Sequence, residues 1–147
     1  MNKKKLIDTC LEQLSARISE IQREIAQISE DAQNETKSSM GDKYETGREM
    51  IIQERTKLLD QLSILQKQKV AIEQMRDTLF KAVKNGALVV TKSQSYLISA
   101  ALGEISFNGQ KVFVISQQAP IAKAMMSKKV GDSFSFHGRE HQILEIY

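Results

Sequence analysis

Between Ile7 and Ile28 the apolar residues fall at Ile7, Leu11, Leu14, Ile18, Ile21, Ile25 and Ile28, with spacings of 4 and 3 in strict alternation. That is a heptad seam, the pattern of an α-helix that buries one stripe against a partner helix. Lys, Arg, Glu and Gln fill the remaining positions, and no Gly or Pro occurs before Gly41. The seam predicts one helix from about Lys3 to Asn34.

A second helical pattern follows Gly47 with Met50, Ile51 and Ile52. It continues through Leu58, Leu62, Leu65, Lys69, Ile72, Arg76 and Leu79, flanked by Leu59, Val70 and Met75. Lys69 and Arg76 occupy seam positions, where their stems can pack while their charged heads reach water. Asn85-Gly86 supplies the expected stop of this helix. Two helices of about 30 residues joined by a short polar loop predict an antiparallel coiled-coil hairpin with arms about 45 Å long. A parallel dimeric coil is the alternative, and the breaks at Gly41 and Gly47 favour the hairpin.

After Gly86 the period changes. Residues 87–91 and 95–99 read as strands, and 104–107 and 111–115 as a β-hairpin around Asn108-Gly109. A short helix starts at Pro120, a favoured residue at the first helical position, and runs to about Ser127. A last hairpin joins 133–136 to 142–146 through His137-Gly138. The expected architecture is α+β: a coiled-coil hairpin over 1–84, with its tip at about 38–47, then a small antiparallel-sheet domain with one short helix over 86–147. Lys84-Asn85-Gly86 would hinge the two.

Composition bounds the function. Of 147 residues 27% are charged and 5% aromatic, with no Trp and one Pro, which suits long solvated helices. A net charge of +3 is too mild to imply nucleic acid unless the cations cluster. The lone Cys10 excludes an internal disulfide and fits a reducing compartment, and its place in an apolar stripe predicts a buried, inert thiol. Lys3-Lys4-Lys5 is not followed by a signal-peptide core, because Asp8, Glu12 and Gln13 interrupt it. No run approaches the roughly 20 apolar residues of a membrane span. The expectation is a cytoplasmic, monomeric protein.

Few residues offer chemistry. Asp42 and Glu45 lie three apart at the start of the second helix. On spacing alone they favour a capping box, with Asp42 accepting from free amides and Glu45 reaching back to the cap. They also suit half of a cation site, since magnesium takes hard oxygen ligands and shares itself among carboxylates, water and phosphates. Two acids cannot enclose it, so such a site would be completed on another molecule. Lys37, Lys43, Arg48 and Arg55 form a sparse basic collar around the tip, a solvated face or a weak RNA contact. His137 and His141 are four apart, but Gly138-Arg139 predicts a turn rather than a helical metal face. There is no nucleophile elbow, P-loop, dinucleotide fingerprint or zinc-type cysteine cluster, so the chain is not expected to be an enzyme by itself.

Two motifs resemble the Gre-type bacterial transcript cleavage factors. Gly41-Asp42-Lys43-Tyr44-Glu45 is similar to that family's Gly-Asp-x-x-Glu tip. Ile115-Ser116, Ala119-Pro120-Ile121-Ala122-Lys123-Ala124 and Lys128-Lys129-Val130-Gly131-Asp132 resemble its segment around the short helix, and the length suggests a shortened branch. The resemblance implies an FKBP-like C-terminal domain that docks on the rim of the RNA polymerase secondary channel through Pro120, Ile121 and Lys123. It implies that the coiled coil threads the channel, and that Asp42 and Glu45 help hold a Mg2+ ion jointly with the polymerase. Backtracked RNA is then cleaved by metal-assisted hydrolysis and synthesis resumes. Thr46-Gly47-Arg48 replaces the family's further acidic and aromatic residues, and Ala119 replaces a capping Ser. Inhibitory relatives enter the same channel without productive cleavage, which gives the alternative of a modulating regulator. An FKBP-like prolyl isomerase needs an aromatic-lined pocket, whereas alternation sends most Phe residues to the sheet core. A structural coiled-coil adaptor is the remaining reading.

Overall fold

The computed structural model describes residues 1–37 and 42–147, with the side chains of 35–45 outside that description. Helix α1 spans Lys3–Lys37 and helix α2 spans Asp42–Gln74. The strands are β1 (Leu88–Thr91), β2 (Ser95–Ser99), β3 (Gly103–Phe107), β4 (Gln110–Ser116), β5 (Ser133–Phe136) and β6 (Arg139–Ile146), with helix α3 (Pro120–Met125) between β4 and β5. The α+β class holds. The chain forms two compact units, Gln13–Lys69 and Met1–Glu12 with Val70–Tyr147.

In the helical unit Leu14, Ile18 and Ile21 of α1 and Leu58 of α2 are buried, while Ile25, Leu62 and Leu65 are half-buried. These are the predicted seam positions, so the heptad pattern set which face is covered. The connection is only the four residues 38–41. Those four lie outside the described residues.

The second unit corrects two expectations. First, α2 ends at Gln74 rather than running toward Asn85. The amides of Met75, Arg76 and Thr78 bond to carbonyls three residues back, which tightens the chain out of the α-helix. Arg76 then donates to both carboxylate oxygens of Asp8, at 2.8 and 3.0 Å, instead of reaching to water. Beyond it, Ala82 pairs with Lys129, and Val83 exchanges bonds with Lys128 and Ser127, so 82–83 behave as strand. Tertiary pairing overrides helix propensity there. Gly86 turns the chain into β1 at φ 100°, and a Cβ on it would sit 3.0 Å from Met75 Cγ.

Second, the sheet is mixed. Its order is β3-β4-β2-β1-β6-β5, and β2 runs parallel to β4 while the other pairs are antiparallel. The three-residue link 100–102 carries the chain from β2 to the edge, and the Asn108-Gly109 hairpin returns β4 into the slot beside β2. Local alternation identifies strands and hairpins but not which neighbour a returning strand will join. Both predicted tight turns carry positive φ, at 50° and 75° for Asn108-Gly109 and 51° and 73° for His137-Gly138.

The strand register divides the sheet's two faces. Leu88, Leu97, Ile105, Val112 and Val114 share one face, all buried. The other face carries Val89, Tyr96 and Ile98, which pack with Ala122 and Met125 of α3, Phe134 and Ile143. Cys10 is fully buried in α1, and burial pushes its thiol up to about 11, as an inert packing residue requires. Among the described residues no helix is long and apolar enough to cross a membrane.

Candidate functional site

Helix α3 is six residues long and is held from below. Ala122 and Met125 are fully buried against the sheet, which leaves Pro120 and Lys123 facing solvent. Ala119 provides no side-chain cap. Pro120 tolerates this, because it has no N–H to satisfy. Ser116 orders the approach: its Oγ accepts from the Gln118 amide at 3.1 Å and its carbonyl from the Ala119 amide at 3.0 Å.

Beside α3 lies an open groove of about 560 Å³. Its apolar wall is Tyr96, Phe113, Ile115, Ile121 and Phe136, and its rim carries His137, Arg139 and His141. The register builds that wall. Tyr96 pairs with Phe113 and Ile98 with Ile115 across the parallel β2–β4 ladder, so these side chains stand on the α3 face. The Tyr96 and Phe113 rings are 6.0 Å apart between centroids. The Tyr96 hydroxyl donates to Gln94 Oε1 at 2.6 Å, and burial raises its pKa above the ordinary tyrosine value. Thr91 fixes the turn at the groove mouth, donating from Oγ1 to the Gln94 carbonyl and accepting from the Gln94 amide. On the far side His137 meets the edge of Phe136 at 4.0 Å and His141 stacks on Phe134 at 5.2 Å. An apolar floor with hydrogen-bond donors and a guanidinium at the rim suits an apolar side chain whose neighbours are acidic.

Of the docking residues read from the sequence, only Ile121 enters this groove, while Pro120 and Lys123 are exposed on α3. Tyr96, Phe113, Phe136 and Arg139 escaped sequence reading because the groove depends on the β2–β4 pairing. The expectation that alternation buries most Phe residues holds for Phe107 and Phe134, whereas Phe113 and Phe136 remain partly exposed. Arg48 and Arg55 are exposed on α2. Lys37 closes α1 and Asp42, Lys43 and Glu45 open α2, with their side chains outside the described residues. His137 lies in the turn before β6 and His141 within β6, so the pair does not share a helix.

No protein-family model and no curated protein matches the chain. Among solved structures, the GreA factor homolog Gfh1 of Thermus thermophilus is 16% identical with a TM-score of 0.36, covering 93% of this chain and 94% of that one. A second structure of the transcription factor Gfh1 is 18% identical with a TM-score of 0.36, covering 93% of this chain and 92% of that one. Superposition at that score does not establish a common fold, so the chain's own residues carry the functional argument.

Proposed function

We propose that this chain is a Gre-like factor that acts on bacterial RNA polymerase from the secondary channel and stimulates cleavage of backtracked RNA. The observation that carries this reading is the position of Asp42-Lys43-Tyr44-Glu45 at the start of α2, a continuous helix of 33 residues that follows the 35-residue α1 in sequence. A helix of that length extends about 50 Å, which suits delivery of a tip into a deep channel. The α3 groove, with its apolar floor and the Arg139 guanidinium at its rim, supports a docking role for the small domain.

In this reading the activity belongs to the polymerase. Asp42 opens α2 and Glu45 follows three residues later in the same helix. They are hard oxygen donors of the type magnesium takes, and two of them leave most of its coordination to the polymerase, water and RNA phosphate. When bound there, the ion supplies a polarised phosphate and an activated water. The two acids contribute negative charge and orientation. Lys37, Lys43, Arg48 and Arg55 would supply the positive charge that meets RNA phosphates.

Purified polymerase on a backtracked template tests this. Wild-type chain should accelerate RNA cleavage, and Asp42→Asn and Glu45→Gln should each remove the acceleration while still competing with wild type for the enzyme. Binding without acceleration would replace this reading with a modulating secondary-channel regulator, which Thr46-Gly47-Arg48 favours because it lowers the negative charge at the tip. The aromatic groove also gives the prolyl-isomerase reading a concrete site. A proline-peptide isomerisation assay with wild type and Phe113→Ala distinguishes it, and no turnover is expected.

A further inference from the structure

The pairing that ended α2 early also gathers charge. Ala82 bridges Lys129, the Val83 amide donates to the Lys128 carbonyl at 2.8 Å, and the Ser127 amide donates to the Val83 carbonyl at 2.9 Å. The backbones of two segments more than 40 residues apart in sequence thereby lie alongside one another, one carrying Lys81 and Lys84 and the other Lys128 and Lys129. Lys123, in the last turn of α3, precedes the same turn. Lys81, Lys84, Lys123 and Lys129 are exposed and Lys128 is half-exposed. Among the described residues none of the five forms an ion pair, whereas Lys4 and Lys111 pair with Asp77 and Glu104. Asp132 is the acid of this turn, and its Oδ2 accepts from the Lys129 amide at 2.8 Å, so it fixes the backbone of the patch.

We infer that this lysine patch is a sequence-independent contact for the phosphate backbone of a nucleic acid. Composition separates that partner from an acidic protein face. Protein interfaces are depleted in Lys and built around aromatic and Arg anchors, and the patch has neither. Lysine is a compact point charge on a flexible stem, which suits phosphates met without fixed geometry, whereas bidentate recognition calls for Arg. Leu79 and Val130 are exposed large apolar residues next to it in sequence, and two aliphatic side chains are too little for an interface core. The overall charge of +3 is small, so binding would depend on this local clustering.

The test uses the full chain and a labelled 20-base-pair duplex of arbitrary sequence, without polymerase, so it stands or falls independently of the cleavage reading. Binding is followed by anisotropy across salt concentration. Each lysine–phosphate contact adds about 0.9 to the slope of log affinity against log salt, so four contacts weaken binding about 100-fold between 50 and 200 mM. Replacing Lys81, Lys84, Lys128 and Lys129 with Gln should lower that slope by about 3 to 4. Replacing Lys5, Lys57, Lys67 and Lys92 removes the same charge from other exposed positions and should change affinity less than about threefold at fixed salt. Equal losses in the two variants, or no binding at 50 mM salt, would overturn the proposal. So would tighter binding of poly-glutamate than of the duplex, which would assign the patch to an acidic protein.

Discussion

Lys3 is 4% exposed, and no carboxylate pairs with it among the described residues. Its ammonium donates to the Thr78 carbonyl at 2.5 Å and the Tyr147 main-chain oxygen at 3.4 Å, and sits 4.7 Å from the centre of the Phe80 ring. Dipoles and a ring face only partly replace lost hydration, so burial lowers its pKa from 10.5 to about 8. That gap corresponds to about 3 kcal/mol. Below pH 8 the amine is charged in both states and the folded chain carries the whole desolvation cost. Between pH 8 and 10.5 the unfolded chain binds more protons than the folded one, so this residue makes stability rise with pH. In Lys3→Met the trend disappears. The variant loses the bond to Thr78 and the ring contact, which shifts its baseline by about 1–3 kcal/mol without giving it a pH dependence. Denaturant unfolding by circular dichroism at pH 7.5, 9 and 10.5 checks this. Wild type should gain about 3 kcal/mol relative to Lys3→Met across the range. The raised pKa of Tyr96 and Tyr147 acts in the opposite direction, but is common to both proteins and cancels in the difference. A flat difference, or one of opposite sign, would refute the view of Lys3 as a buried, underpartnered cation.

Three further outcomes follow from the same unit. Gly86→Ala should destabilise the chain by about 1–3 kcal/mol, because φ is 100° and the new Cβ would press on Met75 and Phe80; unfolding midpoints measure it. Met125→Ala should cost about 2–5 kcal/mol by leaving a cavity between α3 and the sheet, and so should unfold at lower denaturant. Ile121→Asp places a charge in the groove. On the proposed function it should weaken polymerase binding at least tenfold in a competition assay, and because Ile121 packs against the core it should also lower unfolding stability by about 1–3 kcal/mol.

The seam at Leu14, Ile18, Ile21 and Leu58 was readable because helical burial depends on residues three and four apart, whose spacing is local. The Asn108-Gly109 and His137-Gly138 turns were readable for the same reason, since positive φ leaves a compositional mark. The early end of α2 was not. Nothing local distinguishes residues 75–85 from a continuing helix; what ends it is Asp8 taking Arg76 and residues 127–129 pairing with 82–83.

The candidate sites divide along the same line. The sequence alone put Asp42 and Glu45 near the head of the second helix, because a helix start leaves a local mark in the Gly41-Asp42 pair and the pattern that follows. Tertiary structure alone decided the groove and the lysine patch. Tyr96 meets Phe113 only because β4 returns parallel to β2, and the segments carrying Lys81 and Lys84 and Lys128 and Lys129 come together only through backbone pairing across more than 40 residues. Local periodicity fixes which face a residue occupies, while the choice of neighbouring strand is made by the competing burial of the whole chain.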